Sequence, residues 1–190
     1  MRARLTLIAV VLVGCSTLDV AQPIDLVPGA DWQPWEIQLL GSAAQCWNLR
    51  YATKLQVTQS PRSVQQVAVS YSDFICLYAR GVTEPGLPVQ VYLCPSRYAS
   101  ELRSVQERIL FVLALHELGH VLNIRYHSDD ANAVMAAGDA EGNVYMPVPG
   151  GFTDGDTRLF NEANPGFEPS PPGCSPVAIH TFPFGCVCGR

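Results

Sequence analysis

His116-Glu117-Leu118-Gly119-His120 concentrates more reactive side chains than any other stretch of this 190-residue chain. On a helix, positions i and i+4 share a face, so His116 and His120 can present two imidazoles to one metal ion. Glu117 lies beside them and can act as a general base toward a water at that metal, the chemistry of zinc-dependent hydrolysis. The chain holds only four His, and three of them fall within residues 116–127. The pentapeptide directly follows Ile109 to Leu115, seven apolar residues without a break. A helix that is apolar all round is a buried helix. Two His and a Glu at the end of such a helix cost free energy unless they are paired or bind a metal.

The longer run from His116 to His127 resembles the active-site sequence of the metzincin zinc metalloproteases, in particular the matrixin branch. Their pattern is HExxHxxGxxH followed by a Met-turn. This chain departs from it twice. Asn123 stands at the Gly position, and one inserted residue puts Tyr126 at the usual His place, with His127 next. Asn is the non-Gly residue most at home in the left-handed conformation that ends a helix. His127-Ser128, with Met135 eight residues after the His, keeps the matrixin register.

The resemblance implies one catalytic Zn2+ held by His116, His120 and His127. It implies Glu117 as the catalytic base of peptide-bond hydrolysis, and Met135 as an apolar floor beneath the metal. Rival third ligands are Asp129 or Asp130, as in an aspzincin, and Glu141 or Glu162, as in a gluzincin. The implied fold is α+β, a zincin-like single domain with a mixed, mostly parallel twisted sheet and about three helices. In that family a sheet edge binds peptide in extended form, so residues 89–93 or a close neighbour are expected near such an edge. Residues 143–152 are expected to wall an apolar substrate pocket with Val144, Tyr145, Met146 and Pro147, and Tyr126 and Tyr145 are further candidates near the site.

These residues need elements to position them. Pro34 suits a helix first turn, and Ile37, Leu40, Ala44 and Trp47 have helical spacing, which predicts a helix over residues 34–51. Residues 55–58, 64–71 and 89–93 read as strands, 81–88 as a loop, and 100–122 as the long helix that carries the pentapeptide. Residues 128–151 read as loop. Thr153 reads as an N-cap, with Asp154 and Asp156 in the first turn of a helix to about residue 163. Asp139, Glu141 and Asn143 alternate like three positions of a calcium loop, which makes calcium a weak second candidate ion. Six Pro between residues 165 and 183 predict an irregular tail. The expected organisation is a catalytic domain over 31–164 and a Pro/Cys-rich tail over 165–190.

The first residues carry a different signal. A basic head, Met1 to Arg4, precedes nine residues, Leu5 to Val13, that are apolar except for Thr6. That is a signal-peptide core, too short to span a bilayer. Leu12-Val13-Gly14-Cys15 resembles the lipobox of bacterial lipoproteins. This implies a signal peptide over 1–14, lipidation of Cys15, and residues 15–30 as a tether. Ser16, a non-acidic residue after the Cys, points to the outer membrane; an ordinary secreted protein is the alternative. Loss of Arg2 and Arg4 would take the net charge from -5 to -7.

Seven Cys become six if Cys15 is lipidated: Cys46, Cys76, Cys94, Cys174, Cys186 and Cys188. Six Cys allow fifteen pairings that sequence cannot choose among. Cys76 with Cys94, and a pairing within the tail cluster, are the expectation.

Apolar residues at 48% and charged residues at 15% are enough to build a core, which excludes a disordered tail protein. The net charge of -5 excludes a basic nucleic-acid footprint. A monomer acting on a peptide or protein and anchored to a membrane through Cys15 is the expectation. A catalytically weak metzincin-like domain that binds peptides or proteins is the alternative, and a metal-free structural lipoprotein is the third reading.

Overall fold

The computed structural model describes residues 17–71, 81–84, 89–93, 102–136, 151–167, 177–181 and 184–188. In chain order the elements are β1 (Ile24–Pro28), α1 (Pro34–Tyr51), β2 (Leu55–Val57), β3 (Gln65–Tyr71), β4 (Gly81–Glu84), β5 (Val89–Leu93), α2 (Arg103–Val121), α3 (Asp154–Ala163), β6 (Val177–Thr181) and β7 (Phe184–Cys188). The architecture is α+β. Five strands form one sheet in the order β2-β1-β3-β5-β4, with β2, β1, β3 and β5 parallel and β4 antiparallel at the edge. No helix among the described residues is long and apolar enough to cross a membrane.

α1 begins where its sequence dictates. Pro34 takes the first turn, and the Glu36 carboxylate accepts the Gln33 N–H at 2.6 Å. It ends at Ala52, which adopts a left-handed φ of 55°. The Asn48 side chain then receives the Leu55 N–H at 2.9 Å and donates to the Leu55 carbonyl at 2.8 Å, steering the chain into β2. The buried face of α1, which includes Leu40, Ala44, Trp47 and Tyr51, packs against α2. α2 is buried on every side from Leu110 to Gly119, as its unbroken apolar run requires. It touches α1, β4 and β5, and Phe111 meets Phe184 of β7 with ring centroids 5.5 Å apart.

Three expectations are corrected. Residues 15–30 are not a tether throughout: β1 pairs with β2 and with β3, and Leu18 and Val20 are buried. Pro23 just before the strand and Pro28 as its last residue disguise it in the sequence. Residues 81–84 are a strand, not part of a loop, so β5 is the second strand from the edge and its neighbour β4 is the edge. The tail is not irregular throughout, because β6 and β7 form an antiparallel pair. Cys186 of β7 bonds to the fully buried Cys46 of α1, so Cys186 is not available for a pairing within the tail cluster. Cys76, Cys94 and Cys174 lie outside the described residues.

Candidate metal centre

α2 delivers His116, Glu117 and His120 from its last two turns, and the chain must then reverse to bring His127 back. It does so by a Schellman stop. The Ile124 N–H donates to the Gly119 carbonyl at 3.2 Å and the Asn123 N–H to the His120 carbonyl at 3.0 Å. Asn123 holds φ at 69°, the left-handed conformation expected of it. The extra residue before His127 is accommodated in the turn after this stop, where Arg125 and Tyr126 are both exposed.

The three imidazoles converge. Their ring centroids are 5.0 Å (His116–His120), 5.1 Å (His116–His127) and 5.1 Å (His120–His127) apart. One potential ligand atom from each lies within 4.8 Å of the others. His116 Nδ1 meets the Val134 carbonyl at 2.9 Å and His120 Nδ1 meets the Ile124 carbonyl at 2.6 Å. A carbonyl only accepts, so each Nδ1 carries the proton and each lone pair stands on Nε2. Burial, reinforced by the His120 charge, pulls the His116 pKa from 6.5 to about 3. Burial also lowers His120 and His127. Neutral imidazoles are the form that binds a metal. Accessibility rises from His116, which is buried, through His120 to His127, which is exposed, so the cluster faces solvent on the His127 side. Glu117 is buried beside His116.

Two features that the sequence did not disclose support this cluster. Met135 is fully buried, and a Cβ placed on Gly119 would lie 2.1 Å from its Sδ and 3.0 Å from Trp47 Cζ2. The close approach of Met135 to α2 therefore depends on glycine at position 119. Trp47 is fixed in turn by its Nε1–H, which donates to the Leu115 carbonyl at 2.8 Å. The second feature is Asp156. It reads in sequence as a helix-start acid, yet it is fully buried. Its carboxylate accepts the N–H groups of Val134 (3.1 Å), Met135 (2.8 Å) and Thr153 (2.9 Å). Ser128 closes the loop below, its N–H donating to the Met135 carbonyl at 2.6 Å.

Of the rival ligands, the three among the described residues stand apart from the cluster. Asp129 and Asp130 are exposed, and Glu162 pairs with Arg158 at 3.2 Å. Only His116, His120 and His127 form a potential metal group among the described residues. Tyr126 points to solvent, 74% exposed. Cys15, Asp139, Glu141, Asn143, Val144, Tyr145, Met146 and Pro147 lie outside the described residues. Phe152, at the end of the expected pocket wall, packs edge-on against Trp47 and Tyr51.

Three imidazole donors, two of them with tautomers set by backbone carbonyls, buried on one side and open on the other, could hold a metal ion. A scan against protein-family models and a search of curated proteins match nothing to this chain.

Proposed function

We propose that this protein is a zinc-dependent endopeptidase of metzincin type, held at a bacterial cell envelope through a lipidated Cys15. The observation that carries the reading is the convergence of three neutral imidazoles, two with Nδ1 committed to backbone carbonyls, beside the buried Glu117. His116, His120 and His127 would hold the ion. Zinc bound there supplies a Lewis acid, which acidifies a water and polarises a carbonyl. The chain's own residues do the rest. The Glu117 carboxylate takes a proton from the attacking water and returns it to the leaving nitrogen as the peptide bond breaks. The Val134 and Ile124 carbonyls hold the two helix imidazoles in place while this happens. β4, the antiparallel edge strand, offers backbone groups to which an extended peptide could add as a further strand.

The test is metal analysis followed by cleavage of a broad peptide library. One zinc per chain, lost in His120→Ala, and cleavage abolished in Glu117→Ala, are the expected results. Zinc without cleavage, with Glu117→Ala indistinguishable from the parent, would leave a peptide-binding zinc domain and remove the enzyme. No zinc in the parent protein removes both.

A further inference from the structure

Asn123 ends α2 in the left-handed conformation, a task that glycine performs at lower cost. Its carboxamide makes bonds that glycine could not. Oδ1 accepts the Leu18 N–H at 3.1 Å, and Nδ2 donates to the Leu18 carbonyl at 2.8 Å and to Asn164 Oδ1 at 2.9 Å. Asn164, the C-cap of α3, donates its own Nδ2 to the Leu122 carbonyl at 2.9 Å and to the Phe160 carbonyl at 3.1 Å. The oxygen and the NH2 group of each amide are thus both engaged, so neither side chain can flip without breaking the set.

The network joins two parts of the chain 105 residues apart. On one side is the segment before β1, where Leu18 and Val20 are buried in the core. Gln65 holds the residue after Leu18: its Oε1 accepts the Asp19 N–H at 2.6 Å and its Nε2 donates to the Asp19 carbonyl at 3.0 Å. On the other side is the turn made by Leu122, Asn123 and Ile124. The Ile124 carbonyl fixes His120 Nδ1 at 2.6 Å, and the same turn starts the chain on its return to His127. A segment held by a few side-chain bonds opens more readily than a core strand or helix. Its seat and the histidine cluster share one support, the Asn123 turn, and a shared support couples two equilibria in both directions.

We propose that Asn123 is a positioning residue of the metal centre, linking metal occupancy to the seating of Leu18 and Asp19. A metal ion on the three histidines holds the turn and so tightens the seat. The seated segment, in return, holds the turn in the shape that keeps His120 and His127 on the metal. The inference rests on the metal site of the proposed function and deepens it, and it does not depend on the lipid anchor. Whatever loosens the segment before β1 would weaken the hold on the metal.

The full chain, isotope-labelled for NMR, is stripped of metal with a chelator and reloaded with zinc, and amide hydrogen exchange is followed residue by residue. Zinc should slow exchange at Leu18 about tenfold. In Gln65→Ala, Asp19 should exchange faster, yet zinc should still slow Leu18, because Asn123 is untouched. Asn123→Gly keeps the left-handed turn and removes only the side-chain bonds. In that variant the zinc effect at Leu18 should vanish while the effect at Val134, which holds His116, persists. Its zinc affinity, read by competition with a chromogenic chelator, should fall about tenfold. A merely structural Asn123 would speed exchange at Leu18 equally with and without zinc and leave the affinity unchanged, which overturns the proposal. Exchange at Leu18 indifferent to zinc in the parent overturns it without any variant, as does loss of the zinc effect in Gln65→Ala. A parent chain that binds no zinc removes this inference and the proposed function together; zinc bound with no effect at Leu18 removes this inference alone.

Discussion

Asp156 and His116 are joined through a single residue, Val134. The Asp156 carboxylate accepts the Val134 N–H at 3.1 Å, and the Val134 carbonyl receives His116 Nδ1–H at 2.9 Å. A helix outside the histidine cluster thus sets the orientation of a histidine within it. Asp156→Asn keeps the shape but puts an NH2 where a carboxylate oxygen accepted backbone N–H groups. The variant should bind zinc about 10–100-fold more weakly and lose about 2–3 kcal/mol of stability. Competition with a chromogenic chelator and urea unfolding measure the two. Unchanged zinc affinity would reduce Asp156 to a purely structural clamp.

Two glycines in helices should respond in opposite senses to alanine. Gly119→Ala drives a methyl against Met135 Sδ and Trp47, and should cost about 1–3 kcal/mol or more. Gly41 of α1 has nothing within 4 Å of a built Cβ, so Gly41→Ala should add about 0.5–1 kcal/mol. Denaturant midpoints read both; the same sign for the two would refute the packing assigned to Gly119.

The metal-free protein should weaken in acid through its histidines. His116 is held neutral by burial, with a pKa near 3 against 6.5 for an ordinary His. Between those values the unfolded chain binds the proton and the folded one does not, so stability rises with pH across the window. The contribution is complete above about pH 6.5 and drains away as the pH falls toward about 3. Thermal melts of chelator-treated protein from about pH 7.5 to about pH 4 should show the decline, and His116→Asn should flatten it. A melting temperature that is level across this range in the parent contradicts the burial assigned to His116.

Breaking the Cys46–Cys186 bond should destabilise the protein by about 2–5 kcal/mol, since it closes a ring across 140 residues of sequence. The paired Cys46→Ala, Cys186→Ala variant avoids a stray thiol. Its urea midpoint against the parent gives the figure, and an unchanged midpoint would show that β7 holds to α1 without the bond.

What the sequence disclosed, and what it withheld, follows from the range of the interactions. α1 was legible to the residue because Pro34 and the spacing of Ile37, Leu40, Ala44 and Trp47 are local signals. The three His were legible because their spacing is fixed by one helix and one turn. β1 was hidden because four of its five residues are buried between two neighbouring strands, which removes the alternation that marks a half-exposed strand, and a proline precedes it and another ends it. The partner of Cys186 could not be read, because no local pattern links α1 to β7. Asp156 looked like an ordinary first-turn acid, since the N–H groups it holds belong to residues some twenty positions earlier. Gly119 sat in view inside the motif, but its necessity lies in Met135 and Trp47.

The bond from Cys46 to Cys186 also sets an order of events in time. α1 can form as soon as its residues exist, and α2 can complete the first two-thirds of the histidine cluster soon after. The covalent ring cannot close until residue 186 has been synthesised and has reached an oxidising compartment. A nascent chain therefore carries its two helix histidines and Glu117 well before it carries its lock. Oxidation of this cysteine pair is therefore a late event relative to the synthesis of α1 and α2.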